Sequence, residues 1–170
     1  KYLTDGVAYE IRSKLVSIRD FTVRSLQSTR YVAGKDFTIK QIGEELNVTH
    51  ILDGSMQILN DKVRFNLYLT DVQTDTSLPV EVRDFPVEDL YSAQSDIALQ
   101  IVLDLSLDVT IQDEKRVRRQ PTDNLEAHEA YLLGRYQLEL GTYKPMLYKA
   151  QDYFLDAIYF DSLFSEPYLG

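Results

Sequence analysis

The chain has 170 residues, 44% of them hydrophobic and 26% charged, with a formal net charge of −9. That is enough for one large domain or two small ones, and the balance is that of a globular chain, not a disordered one. Cysteine is absent, which excludes disulfides, thiolate metal sites and cysteine nucleophiles.

Asp5 to Ile18 reads as a helix. Val7, Ala8, Ile11, Leu15 and Ile18 recur at helical spacing as one apolar stripe, with Asp5 as the expected N-cap. Phe21 to Val23 reads as a short strand. Ser25 to Gly34 is ambiguous and reads as one helical turn followed by a loop. Thr38 to Leu46 is a second helix. Thr38 followed three residues later by Gln41 fits a capping box, and Ile39, Ile42 and Leu46 are expected to face inward. His50 to Leu59 is a strand with Leu52, Met56 and Ile58 on one face. Gly54 inside it signals a bulge or a close backbone approach. Asn60-Asp61 is a tight hairpin turn, because both residues tolerate positive φ.

Lys62 to Thr70 shows the cleanest alternation. Val63, Phe65, Leu67 and Leu69 interleave with Lys62, Arg64, Asn66, Tyr68 and Thr70, the pattern of a sheet with one buried face. After a polar turn at Gln73 to Ser77, Val80 to Phe85 is expected as a strand. Pro79 at its start places it at an edge. Pro86 is expected at the first turn of a long helix with the stripe Leu90, Ala93, Ile97, Ile101 and Leu105. Leu107 to Ile111 reads as a last strand.

The charged stretch Gln112 to Asn124 reads as a linker with little to bury. It separates an α/β domain over 1–111 from a helical hairpin over 125–170. Seven of the 12 tyrosines fall between Tyr131 and Tyr168, so the character of the chain changes there. Leu125 to Leu140 and Pro145 to Tyr159 read as two helices joined by a short turn, with a third helix beginning near Glu166. Helix pairs of this kind bury faces by stacking, so this one needs a docking surface. The fold class expected is α+β: a mixed or antiparallel sheet packed by helices on one face, followed by a helical-repeat hairpin. A chain that starts without Met, almost inside a helix, reads as part of something longer.

The charge is uneven. Lys1 to Lys40 holds eight basic and four acidic residues, and the other 130 hold 10 basic and 23 acidic. A nucleic-acid module would present a basic face, so no nucleic-acid partner is expected. No apolar run reaches the roughly 20 residues of a membrane helix. Ile97 to Leu107 is cut by Gln100, Asp104 and Ser106. Any membrane association would come through segments outside this chain.

Chemistry-bearing motifs are sparse. His50 and His128 are the only histidines and sit in no metal-ligand spacing, so both read as structural, with no metal and no cofactor expected. Glu44, Glu45 and Asp53 are near in sequence, but solvation explains the two glutamates more simply than acid–base work. Asp71 and Asp75 flank a turn. Gly6 and Gly43 form no phosphate loop, and Ser13 and Ser55 lack a neighbouring His–Asp context. Lys115, Arg116, Arg118 and Arg119 read as a solvated linker. No catalytic residue is assigned.

The candidate binding residues lie on the polar sheet face: Gln57, Arg64, Asn66, Tyr68 and Arg83. Ser55 and Glu81 share that face, which is either open for a ligand or covered by the repeat helices. Tyr131, Tyr136 and Tyr148 are candidates for a repeat surface, although the spacing of Tyr131, Tyr136, Tyr148 and Tyr153 fits core for most of them.

Two segments carry a family resemblance. Asp5, Gly6, Ile42, Gly43, Glu45, Leu46, Val48, Ile51, Leu52, Gly54, Ser55, Asp89, Leu90, Gln94, Ile97 and Ala98 match a helix opening in DG, an IG-x-EL-x-V-x-xIL-x-GS segment and a closing DL-x-x-x-Q-x-xIA helix. Over Leu3 to Leu105 the chain resembles the TolB amino-terminal-like α/β domain. That family usually opens with a hydrophobic strand before the first helix, and Lys1 starts after it, so the sheet is expected to lack a strand. Leu78-Pro79-Val80 stands where the family carries an aromatic pair. Asn124 to Gly170 resembles a tetratricopeptide repeat, with Leu133, Gly134, Ala150, Phe154 and Ala157 at its packing positions. The gap from Gly134 to Ala150 is longer than usual, and Ser162 replaces the common terminal Pro.

The combination resembles the carboxy-terminal halves of bacterial proteins fused to a class III nucleotide cyclase, a winged-helix regulator or a protein kinase. The resemblance implies a non-catalytic sensor or adaptor in signal transduction, with a protein or peptide partner. A structural assembly module of an envelope complex or oligomer is the alternative, and a small-molecule-binding regulatory domain of a cyclase is a third reading. An open sheet edge makes a homo-oligomer plausible. The resemblance also favours the extracytoplasmic, periplasmic side of a membrane protein over the cytoplasm.

Overall fold

The computed structural model describes residues 2–19, 21–80, 84–141 and 143–169. The fold is α+β. Seven helices accompany a four-stranded antiparallel sheet among these residues.

Helix α1 spans Tyr2–Val16. It begins before Asp5, so Asp5 lies inside the helix and is not its cap. Val7, Ile11, Leu15 and Ile18 are buried as the stripe predicts, but Ala8 is exposed and Tyr9 is buried instead. The reason is that α1 is packed from two sides, by α4 (Leu90–Asp104) and by α6 (Leu125–Leu140). Residues 21–25 form neither helix nor strand, and Phe21 and Val23 rest against the core. Ser25 then caps α2 (Leu26–Ala33) by accepting from the Ser28 amide. Helix α3 (Ile39–Leu46) starts at the expected box: Gln41 N donates to Thr38 Oγ1 at 3.3 Å, and Thr38 N donates to Gln41 Oε1 at 2.9 Å.

Strands β1 (His50–Leu59) and β2 (Lys62–Asp71) form the hairpin, closed by Asn60 and Asp61 at φ 50° and 58°. The register is continuous, with Met56 opposite Phe65 and Gly54 opposite Leu67, so Gly54 marks no bulge. It marks close approach. A Cβ there would stand 2.2 Å from the Asn66 carbonyl oxygen.

Strand β3 is Thr76–Val80. It starts earlier than the sequence predicts, because pairing with β2 carries on directly from the turn, with Asp71 opposite Thr76 and Tyr68 opposite Pro79, and residues 81–83 of the expected strand lie outside the described residues. Pro79 thus sits within an edge strand. A two-residue strand β4 (Phe85–Pro86) also pairs with β2. Pro86 therefore ends a strand and precedes a 3₁₀ turn at Val87–Asp89, before α4 begins. Residues 107–110 are not a strand. Thr110 and Asp113 form a capping box that starts α5 (Ile111–Arg118) within the stretch expected as linker, and Val117 on it is fully buried.

The core lies between the apolar sheet face and helices α1 and α4. Val63, Phe65, Leu69, Val80 and Phe85 meet Val7, Ile11, Leu15, Leu90, Ala93, Ile97 and Ile101. Helices α6 and α7 (Lys144–Phe160) pack on each other around a separate cluster of Ala127, Ala130, Ala157 and Phe164. Gly134 allows this contact, since a Cβ on it would lie 2.5 Å from the Phe154 ring. The expected third helix is a 3₁₀ turn at Glu166–Leu169.

Candidate recognition face

Opposite residues of an antiparallel pair share a face. The β1–β2 register therefore sets Asp53 beside Tyr68, Ser55 beside Asn66 and Gln57 beside Arg64, all facing away from the core. The core covers the β2 part of the other face, with Leu52 and Ile58 of β1 left exposed there. The helical hairpin docks through α6 on α1 and α2 and leaves the polar face open: Gln57 and Arg64 are exposed and Tyr68 is 49% exposed. Asn66 is half-buried between its neighbours.

This face offers amide, phenol and guanidinium groups for hydrogen bonding. Arg64 is held in place by a bidentate pair with Asp84, at 2.9 and 2.6 Å. That carboxylate raises the Arg64 pKa, and the hydrogen bond from Arg64 lowers that of Asp84. Such a fork fixes the guanidinium at the turn end of the patch. Asp53 accepts from the Gly54 amide at 2.7 Å, which ties it to its own backbone. Arg83 and Glu81 lie outside the described residues.

The tyrosines divide differently from the expectation of a shared surface. Tyr136 is buried, with its ring under Arg30 and its hydroxyl accepting from that guanidinium. Tyr131 packs its ring on Phe154 and Phe164 at 5.9 and 5.1 Å, and its hydroxyl accepts from Arg135. Tyr136 is therefore core, while Tyr131 is half-buried. Tyr148 is exposed. His50 lies beside Asp71 at a turn, 3.7 Å away. Among the described residues no group of three His, Asp or Glu could hold a metal, and no helix is long and apolar enough to cross a membrane. A depression of 320 Å³ lined by Gln27, Ser28, Tyr31, Glu45 and Leu46 opens to solvent between α2 and α3.

A second polar feature escaped the sequence reading. Where α1 meets α6 and α5, Glu10, Lys14 and His128 are buried together. Lys14 Nζ lies 3.3 Å from Glu10 Oε1 and donates to the Val117 carbonyl at 2.8 Å. His128 Nε2 lies 3.9 Å from the same Glu10 oxygen. Burial alone would push the Glu10 carboxyl up, but the hydrogen bonds and charges of His128 and Lys14 bring its pKa down overall. Arg12 adds a 2.6 Å ion pair to Glu139 along the same seam. Burial also drives the Tyr9 phenol nearby up to about 12. The one sequence signal was a pair of charges at i and i+4 on a helix, which normally reads as surface.

Over 134 residues the chain is 26% identical to a protein of Rhizobium meliloti (strain 1021) named "Putative adenylate cyclase 3". The match covers 79% of this chain and 23% of that relative, so the chain spans less than a quarter of its length. The chain is thus similar to a region associated with a cyclase. No protein-family model matches it, and no solved structure matches it.

Proposed function

We propose that this chain is a non-catalytic sensor or adaptor region, which recognises a protein or peptide and relays that event to a cyclase-type effector. The observation that carries the reading is the open polar face of β1 and β2, with Gln57, Asn66 and Tyr68 beside an oriented Arg64, while Val63, Phe65 and Leu69 on the other face of β2 are buried in the core. An extended peptide laid across such a sheet meets hydrogen-bonding groups at a two-residue repeat. The cyclase relative supports the effector class, because the match takes in a small part of a much longer protein. We read residues 1–111 as a TolB amino-terminal-like unit and residues 125–170 as a tetratricopeptide-like hairpin. The close Gly134–Phe154 contact supports the second assignment.

The test is an NMR titration of the labelled chain with a pool of random-sequence peptides, alongside an assay for conversion of ATP to cyclic AMP. We expect shifts confined to the amides of Gln57, Arg64, Asn66 and Tyr68 and no cyclic AMP. A silent sheet face, or turnover by the chain itself, would sink the reading. The assembly alternative draws on β1, whose outer edge is free and whose Leu52 and Ile58 remain exposed on the helix side of the sheet.

A further inference from the structure

Strand β1 is paired on one side only: among the described residues β2 is its sole strand neighbour. Val72 N donates to the Thr49 carbonyl at 2.9 Å, in line with the β1–β2 register. Bonds to one neighbour fall on alternate residues of an antiparallel strand. The odd-numbered residues of β1 therefore bond to β2, and His50, Leu52, Gly54, Met56 and Ile58 aim their N–H and C=O groups outward. The 2.7 Å bond from Gly54 N to the Asp53 carboxylate fits this, since that amide points to the open side. Long edges are usually blunted by lysine, proline or a bulge. Strand β1 contains no lysine or proline, and its register is unbroken. Instead Leu52, Ile58 and Leu59 are 37%, 47% and 53% exposed.

Outward backbone groups call for an extended strand, and the side chains select which one. A two-fold axis through Ser55, perpendicular to the sheet, sets β1 antiparallel to a second β1. Leu52 then falls opposite Ile58 of the second copy and Gly54 opposite Met56, and these pairs use the outward backbone groups. Between them Ile51 falls opposite Leu59, Asp53 opposite Gln57, and Ser55 opposite its own copy. Even-numbered residues meet on the helix side and odd-numbered ones on the polar side, so both faces continue across the junction. The charges agree with this register. Asp53, the one carboxylate of the strand, meets an amide with Arg64 behind it in the same row. The two Asp53 side chains stay about 14 Å apart along the strand. His50 falls opposite Asn60, next to the Asp61 carboxylate of the turn. Moving the axis to Gly54 sets Ile51 against Gln57, and moving it to Met56 sets Asp53 against Leu59.

We propose that β1 pairs with β1 of a second copy of this chain, antiparallel about Ser55, joining the two sheets into one. The edge is separate from the polar face, and the pairing does not depend on what that face binds.

A single cysteine reads the register, because the chain has none. Ser55 meets its own copy in a non-hydrogen-bonded pair, with Cα atoms about 4.5 Å apart and within disulfide reach. Ser55→Cys should therefore convert to a disulfide-linked dimer in dilute solution with oxidised glutathione. Gln57→Cys, about 14 Å from its own copy, should not. Sedimentation equilibrium of the unaltered chain should show a reversible dimer with a dissociation constant on the order of micromolar. Ile58→Lys, which sets a charge against Leu52 at both ends of the junction, should raise that constant about tenfold with an unchanged circular dichroism spectrum. A monomer at every concentration overturns the proposal, and so does a dimer that Ile58→Lys leaves intact. Equal cross-linking of the two cysteine variants overturns the register. A complete gene product that stays monomeric shows that a strand of the same chain takes the edge, and overturns the proposal as well.

Discussion

Gly54 shows how one atom can matter more than a side chain. It contributes no packing surface, yet a methyl group there would collide with the Asn66 backbone oxygen of the paired strand. The backbone of a central strand cannot yield cheaply, so Gly54→Ala should cost about 2–3 kcal/mol in a urea melt. Tyr68 is the contrast. It is far larger and sits directly across the hairpin from Asp53, but its half-exposed ring fills no core space. Tyr68→Ala should leave stability within about 0.5 kcal/mol while abolishing any peptide-induced shifts on the sheet face. A tyrosine substitution that unfolds the chain would mean that the face is structural. Both positions were legible as special in the sequence. Which of the two meanings of a strand glycine applied was decided only by the register.

At the scale of elements, α1 carries the most consequential interaction. Its Glu10 is held ionised between Lys14 and His128 in a buried seam. Because the folded carboxyl is depressed below its ordinary 4.5, the unfolded chain takes up protons first as pH falls. The stabilisation is present above that value and is lost progressively below it. Asp113, depressed chiefly by the hydrogen bond from Thr110, acts in the same direction at lower pH. We expect the melting temperature to fall steeply under acid, and the slope to flatten in Glu10→Gln. That variant should also be about 3 kcal/mol less stable at neutral pH, since it leaves Lys14 buried without its counter-charge. An unchanged acid profile in the variant would assign the effect to other carboxylates. Helix α3 depends on a smaller device. Thr38→Ala removes one half of its capping box and should cost about 1 kcal/mol by chemical denaturation.

For the molecule as a whole, the decisive fact is that the helical hairpin is not appended by a free linker. Helix α6 rests along α1, and α5 closes over α4 and α1 with Val117 in the main core. Heating followed by far-ultraviolet circular dichroism and by tyrosine fluorescence should therefore give one coincident transition. The tyrosine signal is dominated by 125–170, so two separated midpoints would show that the hairpin melts alone.

Much of this could be read from the residues. The β1–β2 hairpin, its turn, the α3 box and the inward stripe of α4 follow from short-range chemistry: alternation, two residues tolerant of positive φ, a Thr–Gln pair and a 3.6-residue period. The turn and the capping box find their partners within a few positions of sequence, and the alternation and the helical period mark which side of an element turns inward. The open polar face also follows, because alternation along β2 requires one wet side or a second covering layer. Tertiary structure chose between those two by sending the hairpin to α1. It also turned an apparent linker into a helix anchored in the core by Val117 and an apparently solvated Glu10–Lys14 pair into the core of a junction. The early start of β3 belongs to the same class. In each case the deciding partner lies far away along the chain, and local pattern carries no information about which distant surface will arrive.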